Sequence, residues 1–198
     1  MARALVGITG ASGAVYGVRL VQRLLACDVP TEVIVSRAAR RVLEIEERLR
    51  GEPAALLAVG GIAPRVWEPE DLLAPPASGS TAPDLMLIAP CSMGTAAAIL
   101  AGTSDNLIER AADVMLKERR PLVIVPRETP LSTLHLRHLA QLSELGVRVV
   151  PAMPAFYFRP GSIEDLVEFV VDRAIQAAGL PLPLRHPWEG PPRAEPPR

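Results

Sequence analysis

Lysine is nearly absent from this chain. Of 21 basic residues all but Lys117 are arginine. Cysteine is scarce too: Cys27 and Cys91 are too few and too far apart for a disulfide framework or a zinc site. Aromatic residues make up only 4% of the chain and there are three histidines. No apolar run approaches the roughly 20 residues of a membrane span. The first apolar run, ALVGI, is too short for the core of a signal peptide and reads as a strand. Net charge is close to neutral, at −1, so an electrostatic nucleic-acid binder is not expected. What is present is globular: 198 residues, 49% hydrophobic and 22% charged, enough for one domain with a sizeable core. A cytoplasmic protein without membrane or nucleic-acid partners is the expectation.

The apolar pattern alternates strand and helix. Runs at 4–8, 31–35, 84–89, 122–125 and 147–150 read as strands, with a weak edge strand over 60–66. Helical spacing covers 14–26, 37–50, 95 onward, 106–118, 131–145 and 163–178, and Ser162 with Asp165 forms an N-terminal capping pair. Residues 74–83, APPASGSTAP, are expected to form a long loop without regular structure. This order predicts an α/β fold: a parallel sheet with helices on both faces. One domain over 1–180 and a proline-rich tail over 181–198, either a loose end or an arm on another subunit, complete the layout.

Two turns carry chemistry. GITGASGA, after the first strand, places Gly7, Gly10, Gly13 and Ser12 where backbone N–H groups open a helix, a setting suited to an anion. It is not the G-x-G-x-x-G pattern, and the second strand ends in Ser36 and Arg37 rather than the acid that would hold the ribose of NAD. APCSMGT follows the strand at 84–89, where Pro90 is expected to end the strand; Ser92, Gly94 and Thr95 open the next helix. Cradles at two strand ends suggest one ligand across the carboxyl edge of the sheet. Cys91 reads as a small buried residue, and His135 and His138 as surface histidines. Lys117 lies ten residues before Arg127 and Glu128, which follow the apolar run 121–125. A lone lysine among arginines offers a compact mobile charge, although 117–120 also fits a solvated helix end. PAMPAFYFRPGS gathers Phe156, Tyr157 and Phe158, either as a wall for an apolar substrate or as an aromatic plug. Arg173, beside Asp172, fits a surface ion pair.

Together TGASGAVYG, APPASGS, APCSMGT, NLIERAADVMLKERRPLVIVPRETP and the Pro–Phe–Tyr segment resemble the flavin prenyltransferases of the UbiX family, over about residues 5–178. The resemblance implies a flavodoxin-like (Rossmann-type) three-layer fold and a homododecamer. It implies transfer of a dimethylallyl group from dimethylallyl phosphate to N5 and C6 of reduced FMN, without a metal. The product, prenylated FMN, would serve a UbiD-type decarboxylase. By position, Gly10, Ala11, Ser12, Ser36, Ser92, Met93, Gly94, Thr95 and Arg127 would bind the flavin. Lys117, Tyr157 and Arg173 would bind the substrate, and Ser12, Glu46, Lys117 and Glu128 would be catalytic, with Glu44 and Glu47 close to Glu46 in sequence. Leu72 stands where many relatives have tryptophan. The alternatives are a cysteine decarboxylase-type flavoprotein, whose Pro-x-Met-Asn segment here has Pro154 in place of the asparagine, and a non-catalytic FMN-binding protein.

Overall fold

The structure, a computed structural model, describes residues 2–188 and 190. Six strands form one parallel sheet: β1 (Ala4–Ile8), β2 (Thr31–Val35), β3 (Arg65–Trp67), β4 (Leu85–Cys91), β5 (Leu122–Pro126) and β6 (Arg148–Val149). Their order is β3-β2-β1-β4-β5-β6. Setting aside the three-residue edge strand β3, the other five follow the flavodoxin order, and the direction of winding reverses between β1 and β4. Helices α1 (Ala14–Ala26), α2 (Arg37–Glu46) and α7 (Ile163–Ala177) cover one face, while α4 (Met93–Ala101), α5 (Leu107–Lys117) and α6 (Thr133–Glu144) cover the other; a short α3 (Pro53–Leu56) precedes β3. Strand side chains alternate between two cores. Val6, Ile8, Val33, Leu87 and Val125 face α1 and α7, whereas Leu5, Ile34, Met86, Ile88 and Ile124 face α5. The near-continuous apolar strands are explained by this double burial.

Three local expectations are corrected. Pro90 does not end its strand: β4 runs on to Cys91, which pairs with Pro126, at the cost of a register shift after Ile88 because proline has no N–H for the ladder. The helix expected over 37–50 stops at Glu46, where Arg48 turns into left-handed conformation and the Leu49 N–H returns to the Leu43 carbonyl. Residues 74–83 contain one 3₁₀ turn, Pro75–Ala77, and lie along α5: Arg110 donates to the Ala77 carbonyl, and Arg120 to the carbonyls of Ala82 and Pro83.

The first part of the tail lies on its own chain. Arg185 donates to the Asp172 carboxylate through its backbone N–H and guanidinium and pairs with Glu168, while Arg23 donates to the Pro183 carbonyl. The rest of the tail, 189 and 191–198, lies outside the described residues.

Candidate active site at the carboxyl edge of the sheet

The first turn joins β1 to α1 and is built for close approach. A Cβ on Gly10 would lie 2.5 Å from that of Ala38, so glycine lets the start of α2 lie directly on the turn. Gly13 caps α1 with φ of 93°, a left-handed conformation that favours glycine. The anion at the open end of α1 is the chain's own. Glu46 Oε2 accepts the Gly13 N–H at 2.7 Å and the Ala14 N–H at 3.1 Å, with Ser12 directly ahead of them in the turn. Arg127 reaches over from the end of β5, its Nε donating to the Ser12 carbonyl at 2.8 Å. Burial tends to raise the Glu46 pKa, but the Ser12 side chain, the bonds from Gly13 and Ala14 and the charge of Arg127 outweigh it and hold the carboxyl below its ordinary value. The resemblance named Glu46, with Glu44 and Glu47 close by in sequence; the fold brings Glu46 to the turn.

The second turn opens α4. Ser92 is the N-cap, its Oγ accepting the Thr95 N–H at 3.2 Å and lying 3.0 Å from the Thr95 hydroxyl. Met93 is buried beneath it. The N–H groups of Met93 and Gly94 have no hydrogen-bond partner among the described residues, and a Cβ on Gly94 would meet only Ser92 Oγ, at 3.9 Å. This is an open helix N-terminus with hydroxyls on its rim, fitted to a phosphate or a flavin edge. Ser36 stands at the end of β2, its N–H donating to the Ile8 carbonyl and its Oγ capping α2 at Ala39. Cys91 is fully buried, and burial pushes its thiol up to about 12, so it stays protonated and is no nucleophile. Thr9, between β1 and the glycine turn, is a residue that sequence reasoning missed. It stands directly ahead of the first turn and its hydroxyl bonds the second, at the Pro90 carbonyl and the Ser92 N–H; its only sequence signal is a hydroxyl directly ahead of the glycines.

Arg127 and Glu128 both follow β5, and Glu128 Oε1 accepts the Thr129 N–H. Ser12, Ser36, Glu46, Ser92, Thr95, Arg127 and Glu128 thus all lie at the carboxyl edge. Lys117 does not. It ends α5 at the opposite, amino edge, where Nζ donates to Glu118 Oε1 at 2.5 Å beside Gly79.

Tyr157 and Arg173 share a cavity of about 300 Å³ between α7 and the tail. Tyr157 donates its hydroxyl to the His186 carbonyl at 3.0 Å, and Trp188 meets its ring edge-on at 5.1 Å. The expected pairing of Arg173 with Asp172 is absent: Asp172 is buried and bound by Arg185, whereas Arg173 is exposed and donates to Gln176. His135 closes the N-terminal box of α6 with Ser132, and among the described residues no group of three or more metal-ligating side chains is gathered.

The Flavoprotein family model matches residues 1–175. Flavin prenyltransferase UbiX of Pseudomonas aeruginosa is 47% identical over 197 residues, covering 94% of this chain and 93% of that protein. The crystal structure of a dodecameric FMN-dependent UbiX-like decarboxylase from Escherichia coli O157:H7 superposes with a TM-score of 0.84 at 45% identity, covering 90% of this chain and 95% of the other. A crystal structure of AnUbiX in complex with FMN and dimethylallyl pyrophosphate gives a TM-score of 0.83 at 41% identity, covering 90% and 93%.

Proposed function

This chain belongs to the UbiX family of flavin prenyltransferases, and we propose that its carboxyl-edge crevice joins a dimethylallyl group from dimethylallyl phosphate to N5 and C6 of reduced FMN. The product is prenylated FMN for a UbiD-type decarboxylase. The observation that carries this reading is the convergence of Ser12, Glu46 and Arg127 on the first turn beside the open start of α4, at the point where the sheet reverses its winding. We further propose that residues 1–180 form one flavoprotein domain acting in the cytoplasm; no helix among the described residues is long and apolar enough to cross a membrane.

Reduced FMN supplies the electron-rich N5 and C6 positions. The α4 N-terminus, with Ser92, Met93, Gly94 and Thr95, holds the flavin together with Gly10, Ala11, Ser12 and Ser36. As the allylic C–O bond breaks, phosphate leaves with the electron pair and Arg127 stabilises its charge at the crevice; Arg173 and Tyr157, gathered in the cavity under the tail, and Lys117 are the further phosphate ligands of the proposal. The proton lost from C6 needs a base. Glu46 has a lowered pKa and is held at the turn by the Gly13 and Ala14 N–H groups, and Glu128 stands next to Arg127, so both carboxylates are placed for proton transfer.

Lys117 cannot serve the crevice of its own chain from the amino edge. The chain assembles, as its E. coli relative does, into a dodecamer, and Lys117 serves the crevice of another copy.

The test is a coupled assay. Protein incubated anaerobically with FMN, a reductant and dimethylallyl phosphate is filtered, and the filtrate is added to a UbiD-type apo-decarboxylase. Decarboxylase activity should appear only when dimethylallyl phosphate was present. An inactive filtrate from folded protein, beside an active control with authentic prenylated FMN, would count against the proposal.

A further inference from the structure

We propose that Thr9 is the positioning residue that keys the two turns of the crevice to each other, so that FMN meets both in one fixed spacing; the inference rests on the FMN-binding reading above. The regular ladder between β1 and β4 ends at the pair Gly7 and Ile88. Beyond it Pro90 has no N–H to contribute, and on the other side of β4 the pairing with β5 shifts register after Ile88. At that gap the Thr9 N–H donates to the Pro90 carbonyl at 3.2 Å, and the Thr9 hydroxyl donates to the same carbonyl at 2.8 Å. The hydroxyl oxygen in turn accepts the Ser92 N–H at 2.8 Å.

One hydroxyl therefore replaces the missing rung and fixes the backbone of Ser92, the cap of α4. The orientation of that cap decides where the unpaired N–H groups of Met93 and Gly94 point. On its other side Thr9 leads directly into Gly10, Ala11 and Ser12. Its side chain is 2% exposed, so water cannot substitute for it, and its branched Cβ restricts χ1. Valine has the same shape but neither donor nor acceptor, and would leave the Ser92 N–H without its partner and the Pro90 carbonyl without its closer one.

The experiment compares FMN affinity, by flavin fluorescence titration, with melting temperature across three variants. Thr9→Val is expected to weaken FMN binding by roughly tenfold or more, the effect of leaving buried polar groups unpaired. Thr9→Ser, which restores the hydroxyl, should bring affinity back to within a few-fold of wild type. Thr31→Val is the control: Thr31 is also buried and donates its hydroxyl to the Val29 carbonyl at 2.7 Å, but it sits at the amino edge, so its loss should lower the melting temperature and leave FMN affinity unchanged. If Thr9→Val does not fold, Thr9→Ala, which adds no apolar bulk, takes its place. Wild-type affinity in the hydroxyl-free variant, failure of serine to rescue, or an equal affinity loss in Thr31→Val would each overturn the inference. Failure of wild type to bind FMN would instead overturn the proposed function.

Discussion

Glu46 does at the start of α1 what a bound anion does at other helix N-termini, accepting free N–H groups and facing the positive end of the helix dipole. Its lowered pKa has a consequence for stability. A carboxyl whose folded pKa is depressed binds its proton more readily when unfolded, so it contributes stability that is present above the ordinary value of 4.5 and lost as pH falls through the depressed one. Wild type should therefore be more stable than Glu46→Gln at neutral pH, and the difference should shrink to nothing in acid; denaturant titrations from pH 7 to pH 2 check it. A gap between the two proteins that stays constant through the acid range would contradict the charge-based account. Gly10→Ala belongs to the same scale. Its methyl would collide with Ala38, and overpacking of this kind costs about 1–3 kcal/mol, read as a lower denaturant midpoint. Ser12 and Arg127 were legible from the sequence because a glycine turn and a strand end announce themselves. Thr9 was not, because its work is a bond across the sheet to residues 81 and 83 positions away.

At the scale of elements, β1, α1 and β2 were legible to the residue, since buried parallel strands and an amphipathic helix leave unmistakable patterns. What sequence could not supply was tertiary override. Pro90 reads as a strand end, but β5 on one side and Thr9 on the other carry β4 past it. The tail from 181 has no core of its own, yet the buried carboxylate of Asp172, 5% exposed, draws Arg185 down and seats the segment on α7. Replacing Arg185 with glutamine would remove the guanidinium and leave Asp172 with Arg23, at 3.8 Å, as its one cationic partner beside the backbone N–H of residue 185. A loss of about 1–3 kcal/mol is expected, the cost of an under-bonded buried acceptor. Release of the tail should also make residues after 180 accessible to protease, and a variant as resistant as wild type would show that the clasp does not hold it.

For the whole molecule, the separation of Lys117 from the other site residues is the decisive fact. Ser12, Glu46 and Arg127 lie at the carboxyl edge and Lys117 at the amino edge, so a single chain does not assemble the proposed site. Leu73, Leu134, Leu136, Phe156 and Ile163 are large apolar side chains left exposed on the single chain, and assembly would be free to cover them. No sequence pattern reports which edge of a neighbour a residue will face, and so the lone lysine was noticeable without being placeable. Co-assembled Lys117→Ala and Glu46→Gln subunits should regain turnover that neither variant has alone, because some crevices then receive both intact residues. Mixtures as inactive as their parents would put Lys117 outside the shared site.

The central claim, that this crevice attaches a five-carbon unit to flavin, is tested most directly by the mass of the flavin itself. Purified protein, incubated anaerobically with reduced FMN and dimethylallyl phosphate and then denatured, should release a flavin heavier by one C5H8 unit. Folded, FMN-loaded protein that returns only unmodified FMN would contradict it.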